Sequence, residues 1–359
     1  MGSLLRANIG GATDAPCAAA ALTRSRRGGG GAGGSSFKPV LRRVLLRGLK
    51  MFLIGAVLNL WASNFHFGSF GIMGVLQRIA LCYVAVASLY LFAPLWAQRA
   101  AVASCVIVYV GIMYGADVPG CGRGVITEAC NAGAMVDRAV FVGRMAPGTT
   151  NAQGLVSTLT AIATTQMGCE YGCLLLAHRD NLRRLLVWWS GIAGAALVCA
   201  LALSVSGACA LNKKVWSVSF VFAAGAVSGG LLSLALVCVD MSGELRASDP
   251  SDSVWRRAGG RAYRGALDWL RWHGRNPLVV FVGMVGLEIL LLDSIKTPEY
   301  DGSGSARVQV SSWLYLYRVS IASWMGANAW ASSAWALLHV GLWTAIVRAL
   351  DARKKYITL

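Results

Sequence analysis

The sequence predicts an all-α fold: a polytopic transmembrane helical bundle of about eight spans. Three observations predict it. Hydrophobic residues make up 56% of the 359 residues and charged residues 14%, against about a quarter charged in a soluble domain. Mean hydropathy is +0.57. The charges cluster between long apolar runs, and a run of roughly 20 residues is what a helix needs to cross the hydrocarbon core. Finally, no stretch alternates as a barrel strand does, and only helical bundles and closed barrels satisfy their backbone hydrogen bonds in lipid.

The expected spans run Val44–Trp61, Ile72–Ala93, Ala100–Tyr114, Gly154–Ala177, Leu185–Ser206, Val215–Val239, Pro277–Leu292 and Ala329–Leu350. The third and seventh are short. Ahead of them, residues 1–36 lack an apolar core and carry a glycine run from Gly28 to Gly34, which predicts a basic, disordered leader. Residues 37–359 form the transmembrane domain.

A net charge of +17 would suggest nucleic acid in a soluble protein. In a membrane protein it reads as topology, because Lys and Arg accumulate in cytoplasmic loops. Arg42 and Arg43 precede the first span and Arg47 falls in its first turn, Arg179, Arg183 and Arg184 follow the fourth, and Arg353, Lys354 and Lys355 follow the last. Both termini are therefore expected in the cytoplasm, with membrane lipid as partner and no nucleic acid. Trp255–Arg275 interleaves six arginines with aromatic and aliphatic residues, the pattern of an amphipathic helix on a membrane surface. Anionic lipid and an anionic cofactor are its two candidate partners. Ser311–Met325, aromatic and mildly polar, reads as an interfacial or re-entrant helix.

Most of the ten cysteines fall inside spans, where thiols pack as small apolar groups. Cys169 and Cys173 share a helix face but lack the His or Asp neighbours of a metal site, and no metal is expected. Cys121 and Cys130 lie in the largest non-cytoplasmic loop, where an oxidising compartment favours a disulfide.

Ionisable groups at membrane depth are costly and face the bundle interior or a water-filled path. Gln77 and Arg78 lie one to two turns inside the expected second span; snorkelling to the interface is the competing explanation for Arg78. Asn212, Lys213, Lys214 and Trp216 open the sixth span on the same side. Two lysines against the positive-inside bias suggest an anionic ligand, and a solvated loop pair explains them equally well. Asn276 precedes Pro277 at the start of the seventh span, where proline is also an ordinary first-turn residue. Glu170 and Glu288 fall inside spans with no partner evident from sequence. Of four histidines, His66 alone lies in a non-cytoplasmic loop, where a single histidine is more often incidental than catalytic.

Three of these stretches, in order, carry a resemblance. Gly74 to Tyr83 (GVLQRIALCY) resembles a signature of the heparan-α-glucosaminide N-acetyltransferase family. Leu211 to Phe220 (LNKKVWSVSF) is similar to that family's N-K-x-x-W-S-x-S segment. Val118 to Cys121, with Cys130, Asn131, Asp137 and Arg138, resembles its cysteine-containing lumenal loop; Gly154 to Leu159 and Asn276 to Leu278 are weaker matches. The resemblance covers roughly Phe37 to Tyr356. It implies a membrane enzyme that moves acetyl from cytosolic acetyl-CoA, its co-substrate, to the amine of terminal glucosamine on a lumenal glycan. It places the chain in a lysosomal or other endomembrane, or in the plasma membrane, and leaves homo-oligomerisation open. Within it, Gln77, Arg78, Asn212, Lys213, Lys214, Trp216 and Asn276 become candidate acetyl-CoA- or substrate-binding residues. The family's catalytic histidine sits in a D-H-x-x-W-N-G-like motif before an early span. This chain has no such motif, so it is expected to correspond to the part downstream of it, and His66 matches no family motif. A non-catalytic binder or transporter of an anionic small molecule is the alternative function.

Overall fold

The computed structural model describes residues 38–63, 65–67, 71–127, 130–141, 153–241, 254–289, 296–300, 306–326 and 328–357. The expected leader at 1–36 and the Glu288 side chain lie outside these. The fold is all-α apart from two small antiparallel hairpins, β1 (Asp117–Val118) with β2 (Gly122–Arg123) and β3 (Lys296–Tyr300) with β4 (Ala306–Ser311). Neither hairpin was evident from sequence. The chain divides into two compact units, the first including 71–248 and the second 57–70 and 249–359.

The first unit holds α1 (Lys38–Ala62, whose last turns fall in the second unit), α2 (Val75–Phe92), α3 (Leu95–Gly115), the short α4 (Ala132–Val140), α5 (Leu155–His178), α6 (Leu182–Val205) and α7 (Val218–Ala235). A π-helical turn, Leu236–Met241, extends α7. The second unit holds α8 (Val254–Arg275), α9 (Pro277–Ile289), an irregular helical stretch and α12 (Ala329–Ala352). That stretch comprises α10 (Ser312–Tyr317), a π turn and α11 (Ser323–Met325), and Gly326 ends it with a φ of 76° that favours glycine.

Six helices among the described residues are long and apolar enough to cross a bilayer: α1, α2, α3, α6, α7 with its π turn, and α12. This corrects the expected count of about eight. The two shortfalls differ in cause. Over its described residues α9 has only 13. At 24 residues α5 is long enough, but Ser157, Thr158, Thr160, Thr164, Thr165, Gln166 and Glu170 lower its hydropathy. Those polar groups are tolerable because α5 packs against α2, α3, α6 and α7 instead of lipid. The expected third span also lengthens, since α3 starts at Leu95 and takes in Gln98 and Arg99.

Small residues set the close helix approaches, as is usual where lipid supplies no hydrophobic drive between helices. Gly48 and Gly55 on α1 lie against Val84 and Gln77 of α2, and Gly225 and Gly229 on α7 lie against Met167 and Tyr171 of α5. Two clusters fill the first unit's core. Tyr109, Met113, Val118, Ala132, Val156 and Val215 pack around the disulfide loop, and Tyr171, Leu185, Trp189 and Leu236 form the other. The remaining helix surface is apolar and exposed, with Trp96 and Trp330 outward in the first turns of α3 and α12, where membrane-interface tryptophans belong.

Candidate functional site

The described part of the connection between α3 and α5 is built first by covalent chemistry. Cys121 and Cys130 form a disulfide with a Cα–Cα distance of 6.1 Å. Asn131 caps α4 through a 2.7 Å bond from the Ala134 N–H. Asp137, 2% exposed, accepts a 2.8 Å bond from the Leu155 N–H and so caps α5. A Cβ on Gly154 would overlap its carboxylate. Burial raises the Asp137 pKa above the ordinary carboxyl value, and the bond from Leu155 partly offsets this.

Asn212 then ties that connection to the start of α7. Its Nδ2 donates to the Ile126 carbonyl at 3.0 Å and its Oδ1 accepts from the Lys214 N–H at 2.9 Å. Its backbone N–H donates to Ser217 Oγ at 3.0 Å. Ser217 is the N-cap of α7, accepting from the Phe220 N–H, and pairs with Ser219 Oγ at 2.9 Å. Tyr109 adds a bond from its hydroxyl to the Val215 carbonyl at 3.0 Å.

This turn forces Trp216 into the left-handed region, φ 55°, at a cost of order 1–3 kcal/mol for a bulky residue. What the strain achieves is a ring placement. Trp216 Nε1 donates to Thr164 Oγ1 on α5 at 3.1 Å, and Phe220 meets the ring edge-on at 4.9 Å. The Arg78 guanidinium lies over the same ring, 4.0 Å from its centroid. A desolvated contact of this kind is worth about 2 kcal/mol, and Arg78 is 8% exposed.

The structure moves Arg78 relative to the sequence expectation. Because α2 starts at Val75 after an extended Gly74, Gln77 and Arg78 stand in its first turn and not one to two turns deep. Gln77 is fully buried against Gly55, and among the described residues neither its Nε2 nor its Oε1 has a hydrogen-bond partner. A buried amide left so costs about 1–3 kcal/mol per group.

Gln77, Arg78, Asn212 and Trp216 are thus brought to one region of the first unit. Lys213 and Lys214 belong to the same turn but project exposed, consistent with the solvated explanation of the pair. Asn276 is elsewhere, in the second unit. It is fully buried between α8 and α9, where its Oδ1 accepts from the Ile357 N–H at 3.1 Å. Nearby, Arg275 pairs with Asp351 at 2.6 Å, and Tyr356 donates to the same carboxylate at 3.1 Å.

Sequence reasoning missed Thr164 and Tyr109, ordinary residues made specific only by what they touch, and gave Ser217, within the N-K-x-x-W-S-x-S segment, no role. It flagged Glu170 without a partner. Gln166 Nε2 donates to Tyr90 OH at 3.1 Å and to Glu170 at 3.3 Å, and Arg99 lies 3.9 Å from Glu170. His66 is exposed, and His339 accepts from Trp343 Nε1 at 3.2 Å on its own helix. No protein-family model and no curated protein matches this chain.

Proposed function

We propose that this chain is a membrane-embedded acyltransferase of the heparan-α-glucosaminide N-acetyltransferase type, taking acetyl from acetyl-CoA to the amine of an amino sugar. The observation that carries the reading is the meeting of Arg78 and Trp216. They come from two separate sequence blocks that each resemble the family, and the lumenal-loop block is tied to the second of them through Asn212. In the proposed transfer the amine nitrogen forms the new C–N bond and the thioester C–S bond breaks. The proton lost by nitrogen ends on the departing thiolate. A guanidinium held over an indole ring presents planar N–H donors suited to phosphate, sulfate or a developing carbonyl oxyanion. Gln77, Asn212, Lys213 and Lys214 are proposed to bind acetyl-CoA or the acceptor beside it. Asn276 is proposed to organise the second unit. The chain is placed in an endomembrane such as the lysosome, or in the plasma membrane, with both ends cytoplasmic.

Full-length protein in proteoliposomes, supplied with acetyl-labelled acetyl-CoA and glucosamine, should yield N-acetylglucosamine. No product at either neutral or mildly acidic pH would sink the proposal. One observation favours a second reading, a non-catalytic binder of an anionic small molecule: His178, the histidine described in this unit, closes α5 at the end opposite its first turns, more than three turns beyond Thr164. Saturable acetyl-CoA binding without turnover is the result that reading expects.

A further inference from the structure

Helix α8 has a second feature that the acyltransferase reading does not use. Arg257, Arg261, Arg264, Asp268, Arg271 and Arg275 follow one another in steps of four and three. That spacing returns to one side of a helix. Ala262, Ala266, Trp269 and Leu270 fall on the opposite side. Arg271 lies 3.8 Å from Asp268, the one acid in the stripe, so by sequence the stripe carries five arginines to one acid.

The C-terminal half of α8 is docked on the end of a span. Trp269 Nε1 donates to Thr344 Oγ1 at 2.9 Å, the Arg348 guanidinium lies 5.4 Å from the Trp272 ring, and Arg275 pairs with Asp351. Thr344, Arg348 and Asp351 are in the last turns of α12, the apolar helix that closes at Ala352. A helix bonded there lies at membrane–water depth. Arg353, Lys354 and Lys355, all exposed, follow at once. Meanwhile Leu270 is 58% and Trp269 39% exposed. Both lie on the side of α8 away from the arginine stripe.

We infer that α8 is a lipid-recognition helix, its arginine stripe binding the phosphate headgroups of anionic phospholipid while Trp269 and Leu270 rest on the acyl chains of the same leaflet. Charge alone would suit any polyanion. Exposed Leu270 and Trp269 decide for lipid, because a soluble anion satisfies the arginines and leaves the apolar side in water. The proposal is independent of acyl transfer.

The test uses full-length protein in nanodiscs of phosphatidylcholine, alone or mixed with phosphatidylserine, followed by hydrogen–deuterium exchange across residues 254–275. Phosphatidylserine should slow exchange there by on the order of tenfold, since several basic groups near an anionic surface each add a few-fold preference. High salt should erase the difference. An Arg257→Gln, Arg261→Gln, Arg264→Gln variant should lose it too, and the wild-type comparison stands if that variant does not fold. Equal exchange in the two lipids would overturn the inference. So would equal protection by inorganic pyrophosphate in phosphatidylcholine discs, which would make α8 a soluble-anion site.

Discussion

Asp137 combines a cap with a burial penalty, and the two have different pH signatures. Its carboxyl pKa is raised in the fold by burial. A group raised in this way contributes stability below its unfolded pKa and loses it as pH rises through the folded value. The wild type should therefore melt higher in mildly acidic buffer than at neutral pH. Asp137→Asn keeps an oxygen for the Leu155 N–H and should flatten that dependence. Asp137→Ala removes the cap and should cost about 1–2 kcal/mol; thermal unfolding in detergent across pH distinguishes the three. Gln77 poses the opposite case, a buried polar group with no hydrogen-bond partner among the described residues. Gln77→Leu should raise the melting temperature, since an apolar side chain removes a desolvation penalty of about 1 kcal/mol or more, while weakening acetyl-CoA binding if Gln77 serves the proposed ligand. A variant that gains stability and keeps full affinity would remove Gln77 from the site. At this scale the sequence was partly legible. Arg78 stands out because charge in an apolar run is rare, and Trp216 because it closes a recognisable segment. Thr164 does not stand out, for a threonine in a membrane helix usually bonds its own backbone, as Thr165 does to Ala161. Only the fold brings the Trp216 indole to it.

Along whole helices, hydropathy was a good guide where lipid is the neighbour and a poor one where protein is. The sequence stretch of α5 reads as one more span, yet its composition falls short because it carries polar residues with protein partners: Gln166 meets Tyr90 on α2, Glu170 meets Arg99 on α3, and Thr164 meets Trp216 ahead of α7. Period and length locate such a helix; they do not say that it is internal. Nor could they find the hairpins, which depend on pairing between short segments and carry no helical period. The approach of α7 to α5 gives a sharper test of packing. A Cβ at Gly225 would meet only the flexible end of Met167, whereas at Gly229 it would meet the Tyr171 ring, whose hydroxyl already bonds the Gly225 carbonyl at 3.3 Å. Gly225→Ala should therefore stay within about 1 kcal/mol of wild type, as Met can shift rotamer. Gly229→Ala should lose about 1–3 kcal/mol, the usual cost of overpacking a rigid contact. Equal melting temperatures for the two variants would mean that the helices separate more easily than this packing implies.

For the molecule as a whole, charge and redox chemistry must agree about sidedness. Asn212, ahead of α7, bonds Ile126 in the loop that follows α3, so those two connections belong to one side. The basic groups before α1 and after α12 predict that both ends face the cytoplasm. The Cys121–Cys130 disulfide predicts that its loop faces an oxidising compartment on the other side, because cytosolic glutathione would keep a surface thiol pair reduced. An epitope tag placed before Lys38 and another after Leu359 should both stain only in permeabilised cells. In the same cells a membrane-impermeant thiol reagent should label the loop from the outer or lumenal face only after reduction. Closing a loop of this separation, nine residues, is worth about 3 kcal/mol in the chain-entropy account. Reduction should accordingly lower the melting temperature of the purified protein. The loop also reaches the proposed site through the bond from Asn212 to Ile126. If that tie positions Trp216, reduction should weaken acetyl-CoA binding in step with stability, and Asn212→Ala should reproduce the binding loss with the disulfide intact. Loss of stability with unchanged affinity would show instead that Trp216 is held over Arg78 by Thr164 and Tyr109 alone, and that the disulfide only secures the loop.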